Sequence, residues 1–130
     1  MNDAQARDKG RLRRQLVALA IDQAMASQWP QAIETNLSLI DASGRDVEAY
    51  NRLGKAYTQL GRVSEACEAY TATLQIDPTN AIARRNVTRL AALIEGAAAL
   101  EDSGAPHADP SFFSEELGKT VVHSIVSHTR

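Results

Sequence analysis

The sequence is poor in residues on which several classes of protein depend. Its 130 residues include one cysteine, Cys67, so the chain can form no internal disulfide and no thiolate cage for a metal ion. Aromatic residues make up only 5% of the chain, whereas β-sandwiches and barrels favour Tyr and Phe together with Val and Ile. No run approaches the ~20 apolar residues of a membrane span, and the charged N-terminus is unlike a signal peptide. These absences predict a soluble, cytoplasmic and mainly helical protein.

The charge balance argues against nucleic acid and membranes as partners. The formal net charge of the chain is −2 at pH 7. Five basic residues lie close together near the N-terminus, namely Arg7, Lys9, Arg11, Arg13 and Arg14. Such a cluster could touch an anionic surface, but no aromatic residue is interleaved with it. We therefore expect it to be the solvated first part of a helix.

Residues 47–80 form a 34-residue unit with the pattern of two helices. The first helix has an apolar stripe at the spacing i, i+3, i+4, i+7, formed by Tyr50, Leu53, Gly54 and Tyr57. The second has residues at i, i+4, i+8, formed by Ala66, Tyr70 and Leu74. Gly61 interrupts the helical pattern between the two helices, and Ser64 can cap the second one. Pro78 then ends the unit, and Asn80 can cap a further helix.

Gly54 lies in the middle of the first predicted helix, where a glycine costs about 1 kcal/mol relative to alanine. Close packing can offset this cost, because a second helix can lie across a position that has no side chain. The pattern therefore predicts that the two helices approach each other at Gly54, with Ala66 as the small counterpart.

This arrangement resembles the tetratricopeptide repeat, a 34-residue helix–turn–helix unit. The family pattern is matched by Tyr50, Leu53, Gly54, Tyr57, Ala66, Tyr70 and Pro78, while Thr73 replaces its usual alanine. Residues 13–46 align as a degenerate first repeat through Leu16, Leu19, Ala20, Ala32 and Ile40. They depart from the pattern at Gln23, Asn36 and Gly44. One more helix, about 81–95, aligns after the second repeat and is expected to cap the array.

The resemblance implies an all-α fold of antiparallel helical hairpin repeats, an α-solenoid, over residues 1–95. Residues 96–110 are small, polar and contain proline, which predicts a linker or a frayed helix end. Residues 111–130 form a C-terminal appendage with a short helix followed by a strand-like tail.

The appendage has a β-branched, roughly alternating run at residues 119–127, preceded by Phe112 and Phe113, which we expect to anchor the segment. A lone strand has no stability of its own. Either this strand pairs with another copy or a partner, or the chain is the N-terminal part of a longer protein with a downstream β domain. A homo-oligomer through residues 111–130 is one consequence.

No group of residues predicts catalysis, a metal site or a cofactor. The three histidines, His107, His123 and His128, all lie in the linker or the tail without a metal-ligand companion at helical spacing. Cys67 is expected to be a small packing residue on the second helix, not a nucleophile. The sequence therefore predicts that the protein is not an enzyme.

The resemblance also implies a concave groove lined by the first helix of each unit. Residues 34 apart then stand side by side, which predicts a peptide-binding groove formed by Val17, Ile21, Asn51, Lys55, Arg85 and Arg89. Amide and cationic side chains beside an apolar patch suit an extended, acidic peptide. The predicted function is that of a scaffold or adaptor which binds a peptide or partner protein there. The alternative is a structural self-assembly module, in which arrays stack end to end or tail strands pair.

Overall fold

The computed structural model describes residues 3–102, and these residues form five α-helices. The helices are α1 (Asp3–Met25), α2 (Trp29–Ser43), α3 (Val47–Gln59), α4 (Val63–Ile76) and α5 (Ala81–Asp102). Each helix packs against the next one along the chain. Short turns make α1 with α2, and α3 with α4, antiparallel hairpins. The described residues contain no strand, and the predicted all-α fold of helical hairpins is confirmed.

The helices at the two ends are longer than the sequence pattern predicted. Helix α1 begins ten residues before the predicted first repeat, and α5 continues seven residues beyond position 95. Residues 96–102, which the sequence assigned to the linker, are therefore helical. The rest of that linker and the predicted helix and strand at 111–130 lie outside the described residues. None of the described helices is long and apolar enough to cross a membrane.

The turns and helix caps lie at the glycine and capping residues of the sequence, with one exception. Gly44 and Gly61 adopt left-handed backbone conformations, with φ angles of 72° and 73°, which glycine reaches without a steric cost. Asn80 caps α5 as predicted, since its Oδ1 accepts the Ala83 N–H at 3.0 Å. The cap predicted at Ser64 is wrong. Gly61 turns the chain early enough that α4 begins at Val63, so Ser64 lies inside the helix and is buried.

The core consists of three apolar clusters that follow the order of the helices. The first joins α1, α2 and α3 through Ala20, Leu39 and Ala49. The second joins α2, α3 and α4 through Ala32, Ile33, Leu53, Ala56 and Ala69. The third joins α4 and α5 through Ala66, Cys67, Tyr70, Ala83 and Leu90. Small residues dominate all three clusters, so the helices pack closely.

Helix α3 approaches α4 closely at Gly54, as the pattern predicted. A Cβ atom at position 54 would lie 2.6 Å from Cε2 of Tyr70 and 2.7 Å from two further atoms of that ring. The nearest neighbour is thus the aromatic ring of Tyr70 and not Ala66, which the sequence suggested. The equivalent positions in the first hairpin hold Ala20 and Asn36, both buried. The first hairpin thus has alanine in place of Gly54 and the smaller asparagine in place of Tyr70.

Helix α5 has two different faces. Ala83 and Leu90 are fully buried against α4. The face where another repeat would continue carries the exposed residues Arg84, Thr88 and Glu95. The capping role predicted for this helix would require such a polar outer face.

Candidate interaction groove

The burial pattern of α3 repeats in α5 after 34 residues. Ala49 and Ala83 are both fully buried, and so are Ala56 and Leu90. Because equal positions face the core in both helices, residues 34 apart also have equivalent directions on their exposed sides. The same offset relates α1 to α3, where Ala20 and Gly54 are both buried. The exposed sides of α1, α3 and α5 can therefore be compared position by position.

The six predicted groove residues lie on these sides with different exposures. Val17 and Asn51 are half-buried, whereas the other four, Ile21, Lys55, Arg85 and Arg89, are exposed. Ile21 exposes 43% of its surface although it is a large apolar residue. Val17 packs partly against the cluster that joins the first three helices. These residues occupy two equivalent series, 17, 51, 85 and 21, 55, 89, and we call this surface the concave face, after the groove that the family resemblance predicts.

Three of these residues give the concave face positive charge. Lys55, Arg85 and Arg89 form no ion pair with any residue of the described range 3–102. The guanidinium of Arg89 donates a hydrogen bond to Oδ1 of Asn86 at 2.8 Å, within its own helix. Because the side chain of Asn86 is neutral, this hydrogen bond does not compensate the charge of Arg89. The described part of this face thus offers cations that can accept carboxylates from outside.

Tyr70 fixes the spacing between the helices that carry these cations. Its ring lies against Gly54 of α3 and belongs to the same apolar cluster as Ala83 and Leu90 of α5. Burial raises the pKa of the Tyr70 hydroxyl, and the positive charge of Arg89 opposes that rise. Tyr70 therefore lies between α3 and α5, beneath the concave face and close to one of its cations.

Asn51 has internal partners that the sequence did not predict. Its Nδ2 donates to Oδ1 of Asn80 at 3.2 Å, and its Oδ1 accepts from the Thr73 hydroxyl at 3.0 Å. The side chain therefore joins α3 to α4 and to the beginning of α5. A carboxamide has two N–H groups, so one N–H of Asn51 remains after these contacts within the described residues.

Two side-chain contacts tie the first repeat to the second, and the sequence did not predict either of them. The buried carboxylate of Asp46 caps α3 by accepting the Ala49 N–H and pairs with Arg13 of α1, each at 3.0 Å. In the second tie, Nε of Arg52 donates to Oδ1 of the buried Asn36 at 2.9 Å. Both ties connect α3 to the first hairpin. They span 33 and 16 positions, and local patterns give no signal for such contacts.

The charged partners of Asp46 also control its protonation. Burial raises the pKa of the carboxyl group. The hydrogen bonds from Ala49 and Arg13 and the positive charges of Arg13 and Arg52 outweigh burial, so the pKa lies below its ordinary value. Asp46 is therefore held in its charged form at neutral pH.

The concave face contains further exposed apolar residues besides the six predicted groove residues. Met25 and Leu93 occupy the next equivalent series, 25, 59, 93, and expose 81% and 54% of their surfaces. Ile82, also exposed, belongs to the series 14, 48, 82 at the other end of the helices. The 34-residue spacing could have identified Met25 and Leu93, but the polar Gln59 stands between them. The apolar surface is consequently larger than the patch formed by Val17 and Ile21.

Histidine and cysteine, which commonly bind metals or act as nucleophiles, are few in the described range. Residues 3–102 contain no group of three His, Cys, Asp or Glu side chains that could hold a metal ion, and His107, His123 and His128 lie outside this range. Cys67 is buried in the cluster between α4 and α5, which confirms its predicted packing role. Burial raises the pKa of its thiol, and a thiol in that form is a poor nucleophile.

Comparison with known proteins agrees with this architecture. Residues 47–80 match the tetratricopeptide repeat family, and this range covers α3, α4 and the turn that precedes α5. A search of curated proteins found no match to the chain. Repeats of this family generally mediate interactions between proteins and form a non-enzymatic scaffold. Residues 47–80 are thus a tetratricopeptide repeat, and they lie within a run of consecutive helical hairpins.

Proposed function

We propose that the protein is an interaction module whose concave face binds an extended segment of a partner protein. The segment carries carboxylates and at least one large apolar side chain. The observation that supports this function is the combination of cations without ion pairs in residues 3–102 and exposed apolar side chains on one face.

The distribution of these side chains favours a defined direction of binding. Apolar residues dominate the α1 side of the face, with Ile21 and the highly exposed Met25. The side of α5 carries Arg85 and Arg89 beside the exposed Ile82 and Leu93, and Lys55 lies on α3 between α1 and α5. A segment that crosses the face would place its carboxylates towards α3 and α5, where the three cations lie.

Asn51 supports recognition of the backbone of the segment. An extended peptide loses hydrogen bonds to water when it is bound, and a donor in the groove offsets that loss. The remaining N–H of Asn51 can donate to one peptide carbonyl, while Thr73 and Asn80 hold the amide in place. Because Asn51 is already restrained, little rotational entropy is lost on binding.

The cations contribute chiefly to association rate and selectivity. Charged groups at the rim of an interface steer encounter and reject partners of the same charge. Their interactions are screened at high ionic strength, where the Debye length shortens. Affinity from the apolar contacts is much less sensitive to salt.

The first prediction concerns two charge reversals on this face. The full chain is titrated into a labelled synthetic peptide that alternates glutamate and leucine, and binding is read by fluorescence anisotropy. Lys55→Glu combined with Arg89→Glu is expected to weaken binding at least about tenfold, or ~1.4 kcal/mol. Both side chains are exposed, so the melting temperature should stay nearly unchanged.

A matched variant controls for net charge. Lys9→Glu combined with Arg84→Glu changes the charge by the same amount at exposed positions away from the concave face. Its affinity for the peptide should remain close to that of the wild type. Loss of binding in this control, with tolerance of the changes at Lys55 and Arg89, would show that the peptide binds elsewhere.

Self-association is the second candidate, and an exposed surface of α1 favours it. Leu12 and Leu19 expose 57% and 45% of their surfaces, on the side of α1 that corresponds to the side of α3 packed against α2. The equivalent of Leu19 in the second hairpin, Leu53, is buried against Ala32 and Ile33 of α2. End-to-end stacking would pair this apolar surface with the polar outer face of α5, so pairing of two α1 helices is the better form of this alternative.

A further inference from the structure

The sequence beyond α5 contains a segment whose charge is opposite to that of Lys55, Arg85 and Arg89. Residues 109–117 read DPSFFSEEL, with three carboxylates, no basic residue and an adjacent pair of phenylalanines. The concave face has the complementary set, with Lys55, Arg85 and Arg89 beside exposed Ile21 and other apolar residues.

We propose that residues 109–117 of the same chain occupy the concave face and compete with partner segments for it. Phe112 and Phe113 take the apolar positions, and Glu115 and Glu116 face the cations. This inference rests on the proposed function of the face and names its first occupant.

The length of the chain permits this contact. Ten residues lead from Asp102, the last residue of α5, to Phe112, and they can span about 33–36 Å when extended. Arg89 lies thirteen residues before Asp102, which corresponds to about 20 Å along the helix axis. Phe112 can therefore return along α5 as far as the level of Arg89 and beyond it.

Charge favours this segment over the rest of the C-terminal sequence. Residues 118–130 contain Lys119 and Arg130 and no carboxylate side chain. Placed on the concave face, these residues would bring further positive charge to the three cations there. Residues 103–108 contain neither a cation nor a carboxylate side chain. The segment 109–117 is thus the part of the tail that matches the electrostatics of the face.

Tethering makes even weak binding effective. A short tether holds a segment at an effective concentration in the millimolar range. If the free segment bound with a dissociation constant of about 50 µM, the tethered one would weaken the binding of a competing peptide about 20-fold. The tail would then act as a threshold that only tighter or more abundant partners overcome.

The test compares full-length chains that differ in the two phenylalanines. Phe112→Ser combined with Phe113→Ser is expected to bind the labelled Glu/Leu peptide at least about fivefold more tightly than the wild type, because the competitor is lost. Adding Lys55→Glu and Arg89→Glu to this variant should remove the gain. The control, Val121→Ser combined with Val122→Ser, changes the tail outside the segment and should bind like the wild type.

The outcomes separate this inference from the proposed function. Equal affinity of the wild type and the phenylalanine variant, with both weakened by the charge reversals, overturns the inference and leaves the proposed function in place. Binding that ignores the charge reversals in every background overturns both. A tighter phenylalanine variant supports the inference only if light scattering gives a monomer for the wild type. A wild-type dimer that the variant dissociates would place the segment on a second copy and contradict occupation within one chain.

Discussion

Gly54 and Tyr70 lie in direct contact, and this pair shows how one residue sets the distance between two helices. The ring of Tyr70 occupies the space that any larger residue at position 54 would need. The spacing of the apolar residues was enough to predict a close approach at Gly54. It could not identify Tyr70 as the neighbour, because the choice among residues of α4 depends on the angle at which the helices cross.

Replacing Gly54 tests this contact against the opposing effect of helix propensity. Gly54→Ala gains about 1 kcal/mol of intrinsic helix propensity, but its new methyl group collides with the Tyr70 ring. We expect a net loss of about 1–3 kcal/mol in the free energy of unfolding, measured with urea and far-UV circular dichroism. Gly96→Ala, in the open on α5, has the same propensity gain without a neighbour within 4 Å and should stabilise the protein.

A double variant makes the cause specific. In a Tyr70→Leu background the ring is absent, so Gly54→Ala should cost much less than it does in the wild type. An equal cost in both backgrounds would mean that the ring of Tyr70 is not the obstacle at position 54.

At the scale of the helices, the residue before α3 contacts α1, and the residue before α5 contacts α3. Asp46 caps α3 and pairs with Arg13 of α1, and Asn80 caps α5 and accepts from Asn51 of α3. Asp46 therefore fixes α3 relative to α1, and Asn80 fixes α5 relative to α3. The sequence predicted the cap at Asn80 from its position after a proline turn. It gave no signal for either cross-helix partner, since these contacts depend on tertiary packing.

The tie at Asp46 predicts a pH-dependent stability. Its pKa in the folded state lies below the unfolded value of about 3.9. The stabilisation is thus present above that value and is lost as pH falls through the folded-state pKa. Asp46→Asn should lower the free energy of unfolding on the order of 1 kcal/mol at neutral pH, and the difference from the wild type should shrink below about pH 4.

Urea unfolding at neutral and acidic pH measures this difference. Asp41→Asn removes an exposed carboxylate from α2 and serves as the control, with an effect within about 0.5 kcal/mol. A gap between wild type and Asp46→Asn that is as large in acid as at neutral pH would refute the role of the charged form.

At the scale of the whole molecule, the 34-residue period organises the concave face. That period alone grouped the series 17, 51, 85 and 21, 55, 89, because equivalent helices bury equivalent positions. It did not predict that Asn51 is engaged by Thr73 and Asn80. Nor did it extend to Met25 and Leu93, since the apolar character of that series is interrupted at Gln59. Binding of a peptide by these side chains is the central proposal.

The most direct measurement is an amide NMR spectrum of the full chain, with assigned resonances, during titration with the Glu/Leu peptide. We expect the largest shift changes to cluster on α1, α3 and α5, around Ile21, Lys55 and Arg89. A control peptide with glutamine in place of each glutamate should produce much weaker changes. Shift changes confined to the exposed Leu12 and Leu19 side of α1, or to α2 and α4, would contradict this proposal.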